Sequence, residues 1–366
     1  MRKSHPGSLN LDNKELLKSF TRLFLFLLKL LSRIFSFKSK DILVISFNNI
    51  GDTILSLHAL KQFSKETDSK ITLLTYDKFK FLFEKELSGI KTVFVKSNEF
   101  SLGGKIPTFS VIKKARENRC GVVINFSENP QSVFTMLFSG GRRFYGIARD
   151  AYRTAFDSYK IMRKEPHLID IYFDAVDSFQ KISREEDSRI FPLATERGEE
   201  IIITPFAGWD EKMWGLKKMV SLAEELCKNH KVNFVVERDK LTNDIISSIK
   251  LQGITLTELD SIDQYGVILR SAALLVANDT GPIHVAAYYG VPTVAIFGPT
   301  NPNFCKQPGD QHIAINKILY CSPDEFNYCD FDAGRTCPVR ECLTRISVEE
   351  VNNRVISHYN KYSHTI

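Results

Sequence analysis

The stretch LLVANDTGPIHVAAYYGVPTVAIFGP (274–299) constrains this chain more than any other. Its first four residues form an apolar run that reads as a buried strand. The run breaks at Asn278-Asp279-Thr280-Gly281, and a helical pattern begins at Pro282. Proline suits the first helical position, because its missing N–H would have had no partner there. The pattern closes at Gly290 with Pro292 behind it, and TVAIFG (293–298) follows as a second buried strand. The helix of such a unit opens above the strand ends. Unpartnered backbone N–H groups and the positive end of the helix dipole meet there and form an anion site. The same pattern also fits an ordinary capped crossover without a ligand.

The remainder repeats this grammar twice. DILVISF (41–47) reads as a strand, NNIGD (48–52) as a tight turn and TILSLHALKQFS (53–64) as a helix. Strands follow at 71–76, 91–95 and 120–126, with helical sequence between some of them. Residues 150–198 are more polar and irregular, and the connection between domains falls near 190–198. The pattern restarts at 199–208, continues through helix 217–229 and strand 232–237 to the opening motif, and ends with strand 312–315 and helix 347–359. Strands alternating with helices predict an α/β protein with two mostly parallel sheets. The expected domains are 1–40, 41–195, 196–345 and a terminal helix at 346–366. Ligands of such sheets bind outside the carboxyl ends of the strands, so two such halves predict a central cleft.

Charge is unevenly distributed. The formal net charge is +6, yet residues 1–40 carry nine Lys/Arg against two Asp/Glu. The body therefore lacks the basic surplus of a nucleic-acid binder. Residues 13–38 read as one helix, in which Lys14, Lys18, Arg22, Lys29 and Arg33 share an arc of about 100°. Leucines and phenylalanines occupy most of the rest, and only Leu25 lies among the cations. The segment is too interrupted to span a bilayer, which needs about 20 mainly apolar residues. A cationic stripe opposite a Leu/Phe face suits an anionic membrane surface, with packing on the domain or dimerisation as the alternatives. Seven cysteines without a secretory signal point to a reducing, cytoplasmic compartment.

These motifs together resemble glycosyltransferase family 9, the lipopolysaccharide heptosyltransferases. The resemblance rests on DTGPIHVAAYYGVPTVAIFGPTNP (279–302), ILVISFNNIGD (42–52) and PFAGWDEKMWGLKKMV (205–220), and it covers about residues 41–345. It implies a GT-B fold, an inverting transfer and a nucleotide-sugar donor, ADP-heptose in the best-known members. It further implies a lipid-linked saccharide acceptor. A helix N-terminus can stabilise the leaving diphosphate without a metal, so no metal or other cofactor is expected. It places Asp279, Thr280, Gly281 and His284 in the donor site, with Lys212 on the donor phosphate and Glu237 at the ribose or base. It makes Asp52 the general base for the acceptor hydroxyl. At a helix N-terminus the dipole favours the ionised carboxylate, which works against basicity, and helix capping is the alternative role. Asn48 and Asn49, His58, and Gly215 after Trp214 depart from the family pattern.

Acceptor-binding candidates are Asn49, Arg142 and Arg143. The arginines lie in GGRRFYGIARDAYR (140–153), which suits either an anionic acceptor or a solvated loop. Cys321, Cys329, Cys337 and Cys342 contain no C-x2-C pair and read as structural thiols rather than a metal site. Trp209 and Trp214 suit either ring stacking or core packing. Alternative functions are transfer of another nucleotide sugar in envelope glycan synthesis and a non-catalytic nucleotide-sugar-binding scaffold. The expected setting is the inner face of the cytoplasmic membrane.

Overall fold

The computed structural model describes residues 11–83, 87, 89–161, 167–185, 189–323 and 328–363. They form two compact units. The first comprises 1–48, 59–163 and 170–183; the second comprises 49–58, 164–169 and 184–366.

The first unit is built on a six-stranded parallel sheet, formed by β1 (Ile42–Ser46), β2 (Ile71–Tyr76), β3 (Ile90–Val95), β6 (Val122–Asn125), β7 (Arg143–Ala148) and β8 (Ser158–Ile161). The order is β3-β2-β1-β6-β7-β8. A small antiparallel ribbon, β4 (Phe100–Ser101) with β5 (Ile106–Pro107), stands apart. Its helices are α1 (Leu11–Ser32), α3 (Phe109–Arg116) and α4 (Pro130–Phe138); α2 (Ile50–Glu66) and α5 (Leu168–Asp177) each begin in the second unit and end in the first. All of β1 is buried, as expected of a strand covered on both faces.

Three local expectations change. The expected turn at 48–52 lies partly inside a helix, since α2 already starts at Ile50 and Thr53 N–H donates to the Asn49 carbonyl at 2.9 Å. The 140–153 stretch is no solvated loop, because β7 runs through it. The irregular region contains α5, LIDIYFDAVD, whose apolar residues fill the core.

The N-terminal segment shows the largest difference. The helix expected to reach residue 38 ends at Ser32 and continues as a 3-10 turn, Arg33–Phe35. Phe37 N–H then donates to the Gly140 carbonyl at 2.8 Å and draws the chain into the unit. Leu25, 1% exposed, lies at the heart of the buried face. The cations around it also turn inward. Lys29, 7% exposed, donates to the Phe156 carbonyl at 2.8 Å. Arg33 and Arg22 pair with Asp157 and Asp150 respectively. Three of the five cations expected to meet a membrane surface, Arg22, Lys29 and Arg33, thus bind the protein itself, and the Leu/Phe face points away.

The second unit repeats the architecture. Its sheet comprises β9 (Ile201–Thr204), β10 (Val232–Glu237), β11 (Thr255–Leu259), β12 (Leu274–Asn278), β13 (Thr293–Ile296) and β14 (His312–Ile315). The order is β11-β10-β9-β12-β13-β14, all parallel. Its helices are α6 (Leu216–Cys227), α7 (Asn243–Leu251), α8 (Ile262–Arg270), α9 (Gly281–Tyr288), α10 (Pro302–Cys305), α11 (Glu341–Thr344) and α12 (Val348–Ser363). Met219, Leu222 and Leu226 of α6 and Val351 and Val355 of α12 close one core with Ile203, Phe234, Val236 and Val276. The terminal helix, expected to stand apart from residue 346, therefore belongs to this core. Trp214 is also a core residue, its indole N–H donating to the Ile346 carbonyl at 3.0 Å.

A single boundary at residue 195 does not reproduce this division. Residues 49–58 and 164–169 join the second unit, and so do residues 184–195. Ring contacts tie the first and last of these stretches together and to the unit. The His58 and Phe191 rings lie 4.2 Å apart, and Phe191 also meets Tyr288 at 5.4 Å.

Candidate active site

In the second sheet the chain reverses direction of winding between β9 and β12. Such a switch point leaves a crevice at the strand carboxyl ends, because the two flanking crossovers leave on opposite sides. A cavity of about 580 Å³ lies there. Phe206 to Gly208 after β9 line it, as do Glu237 and Arg238 at the end of β10 and Thr280 to Pro282 at the start of α9. Ile50 contributes from α2. Thr280 is the N-cap of α9 by backbone conformation, but its side chain makes no cap hydrogen bond. The helix therefore presents its amino end to the cavity without a side-chain plug, as the sequence motif predicts.

Asp279 lies beside this opening and is 4% exposed. Its Oδ2 accepts from Lys212 Nζ at 2.5 Å and from the Thr300 hydroxyl at 2.7 Å. Lys212 Nζ also stands 4.1 Å from the centre of the Trp209 ring. Ion pair, hydroxyl and π face together fix the ammonium in position. The Cys305 thiol approaches Asp279 Oδ1 at 4.0 Å; burial pushes the thiol up, and the charges of Asp279 and Asp52 add to this.

His284 is fully enclosed. Its Nδ1 lies 2.9 Å from Gln307 Nε2. The amide donates, which assigns the ring proton to Nε2. Burial pushes its pKa down to about 4, with Asp279 opposing and Lys212 and His167 assisting. The ring is thus neutral at physiological pH. A Cβ placed on Gly51 would stand 2.7 Å from His284 Cδ2, and one on Gly281 would stand 2.6 Å from Ile50 Cγ2. Two glycines therefore let the first turns of α2 and α9 touch. Asp52 sits in that first turn of α2. Its charge reaches Cys305 and Tyr328, as do those of Lys212 and Asp279, so these groups share one electrostatic environment.

The structure gathers Asp52, Lys212, Asp279, Thr280, Gly281 and His284 into one locality, with Glu237 across the cavity. The Glu237 side chain is 65% exposed and 3.9 Å from Lys240. Asn49 is exposed at the start of α2. Arg142 and Arg143 belong to the first unit. Arg143 opens β7 and is level with Val122, which is level with Ile42. Both arginines therefore stand at the amino end of the first sheet, whereas ligands bind at the carboxyl end.

Sequence reading missed Thr300, Cys305, Gln307 and Tyr328. Thr300 lies within the quoted motif, but only the fold reveals its bond to Asp279. Tyr328 arrives through a bridge to Thr300 and meets Trp209 at 6.3 Å. The four cysteines 321, 329, 337 and 342 line a separate small cavity of about 80 Å³. Burial and their mutual proximity push Cys342 up to about 11. Among the described residues, no group of three or more His, Cys, Asp or Glu is arranged to hold a metal ion.

Two doubly wound parallel sheets in succession, with an uncapped helix terminus at the second switch point, define a GT-B glycosyltransferase fold. The sequence profile of glycosyltransferase family 9 (heptosyltransferase) matches residues 110–333, and the chain belongs to that family. Lipooligosaccharide heptosyltransferase 2 of Campylobacter jejuni subsp. jejuni serotype O:6 is 26% identical over 171 residues, which are 44% of this chain and 52% of that protein. The match thus spans about half the length of that curated relative. A glycosyl transferase family 9 structure from Veillonella parvula has a TM-score of 0.72 at 19% identity, covering 88% of this chain and 98% of its own. Escherichia coli ADP-heptose LPS heptosyltransferase II has a TM-score of 0.65 at 18% identity, covering 88% and 99%.

Proposed function

We propose that this chain is an inverting glycosyltransferase that moves heptose from ADP-heptose to a lipid-linked saccharide of the lipopolysaccharide-core type. We place it as a peripheral protein at the cytoplasmic face of the membrane, attached through residues 13–38. The observation that carries the reading is the cavity of about 580 Å³ opening onto the uncapped amino end of α9. The names of the C. jejuni and E. coli relatives support heptose, and the E. coli name supports the ADP-linked donor.

The donor nucleoside would occupy the cavity, with Glu237 accepting from ribose hydroxyls. The diphosphate would lie at the α9 amino end. As the sugar–phosphate bond breaks, negative charge grows on the leaving diphosphate. Fixed amides and the Lys212 ammonium stabilise that charge without having to reorganise. Gly281 allows the diphosphate to come close to the backbone. Asp52 takes the proton of the acceptor hydroxyl as its oxygen attacks the anomeric carbon from the opposite face. One displacement of this kind inverts the configuration.

The test is a panel of nucleotides and nucleotide sugars read by thermal shift, followed by transfer to a lipid-linked core acceptor with the product anomer assigned by NMR. ADP and ADP-heptose should stabilise the protein, by about 2.7 kcal/mol at a concentration 100 times Kd. Absence of any nucleotide binding would overturn the transferase reading; a response to uridine rather than adenine nucleotides would overturn the donor.

A further inference from the structure

We propose that α1 enters the membrane interface with its apolar face, and that its cations act as internal ties rather than as the headgroup-binding surface. This rests on the membrane placement above and replaces its electrostatic mode with a hydrophobic one. Leu16, Leu17, Phe20, Leu23, Leu31 and Ile34 are all more than half exposed, and Phe24 and Phe35 are too. At ~100° per residue the exposed apolar positions of the segment spread over roughly half the helix circumference. The seam of a helix pair is narrower, because only two of every seven positions face the partner. A half-cylinder of Leu and Phe matches a bilayer interface instead, where a helix lies in the plane with one side in the acyl region. No described helix is long and apolar enough to cross a membrane, which leaves the in-plane orientation.

Charge complementarity supports lipid as the occupant. Lys38 and Lys40, just beyond the helix, are exposed. These heads can reach lipid phosphates while the apolar face is embedded. The direction of α1 supports the same occupant. Its Arg22 pairs with Asp150, just past the carboxyl end of β7, whereas Phe37 bonds to Gly140 near the amino end of that strand. The amino half of the helix therefore flanks the carboxyl edge of the first sheet, the edge at which such folds hold ligands. A lipid-linked substrate would reach that edge from the bilayer.

The experiment is vesicle co-sedimentation of the full chain. It uses phosphatidylcholine vesicles with and without phosphatidylglycerol, at low and high salt. The variant Phe20→Gln/Phe24→Gln/Leu27→Gln/Leu31→Gln alters only exposed positions, so its fold should persist, as circular dichroism will report. The wild type should bind both vesicle types and resist high salt, and the variant should lose binding at least tenfold. Wild-type binding only to anionic vesicles, with release by salt, would overturn the proposal. So would equal binding of the variant, or a dimer in vesicle-free sedimentation velocity that the substitutions disperse. ADP binding by calorimetry should be the same in both proteins; its absence from both would count against the transferase reading instead.

Discussion

Gly51 and His284, more than two hundred residues apart, are in direct contact: a Cβ on Gly51 would fall 2.7 Å from the imidazole Cδ2 and 2.9 Å from Nε2. The imidazole is enclosed and held by Gln307, so it cannot swing away freely. Gly51→Ala should therefore destabilise the protein by about 1–3 kcal/mol, the usual range for overpacking, and weaken ADP binding. Gly208→Ala, at the cavity wall, meets nothing within 4 Å and should change stability little. Urea denaturation of both variants checks the contrast.

Asp52 shares its electrostatic environment with Lys212 and Asp279. Asp52→Asn keeps the shape and removes the proton acceptor. Turnover should fall by ~10²-fold or more, with the melting temperature and ADP affinity unchanged. Near-normal turnover would remove Asp52 from the role of base.

The Lys212–Asp279 pair is largely buried, with side chains 13% and 5% exposed. Lys212→Ala leaves the Asp279 carboxylate with the Thr300 hydroxyl and a distant thiol. Breaking a buried pair from one side costs about 3 kcal/mol. Adding Asp279→Asn should restore much of that loss but not donor binding. Denaturation and calorimetry on the single and double variants separate the two effects.

Stability should fall on mild acidification. Burial pushes His284 down to about 4 and His312 to about 3, from an ordinary value of 6.5. Between these values the unfolded chain binds protons that the folded chain refuses. The stabilisation is therefore complete above about pH 6.5 and is lost as pH falls toward 4 and 3. For His284 alone the loss is on the order of 3 kcal/mol. Unfolding midpoints measured from pH 7.5 to 4.5 should decline, and His284→Gln should show a shallower decline.

Arg142→Ala/Arg143→Ala should leave kcat/KM within about twofold of wild type, since exposed substitutions away from a site have small effects. Both residues are exposed at the amino end of the first sheet. A large rise in the acceptor KM, measured in a transfer assay, would return them to the acceptor site.

Local sequence determined much of this protein. The apolar runs at 42–46 and 274–278, with Pro282 and Gly290 between strands, specify buried parallel strands and a helix that opens toward ligands, because strand burial and helix termini depend on near neighbours. The place of Asp279, Thr280 and Gly281, between a strand end and a helix start, is legible for that reason. The β7 strand lies among arginines and the apolar α5 among more polar neighbours, and both are fixed by partners elsewhere in the chain. Long-range contacts decided the rest. Thr300, Gln307 and Gly51 acquire their roles only when folding brings them to Asp279 and His284. The N-terminal helix shows the limit most clearly. Its periodicity creates one cationic and one apolar face but is silent about which faces the protein. Asp150, Asp157 and the Phe156 carbonyl, more than a hundred residues away, turn the cations inward around Leu25 and leave the Leu/Phe face outside.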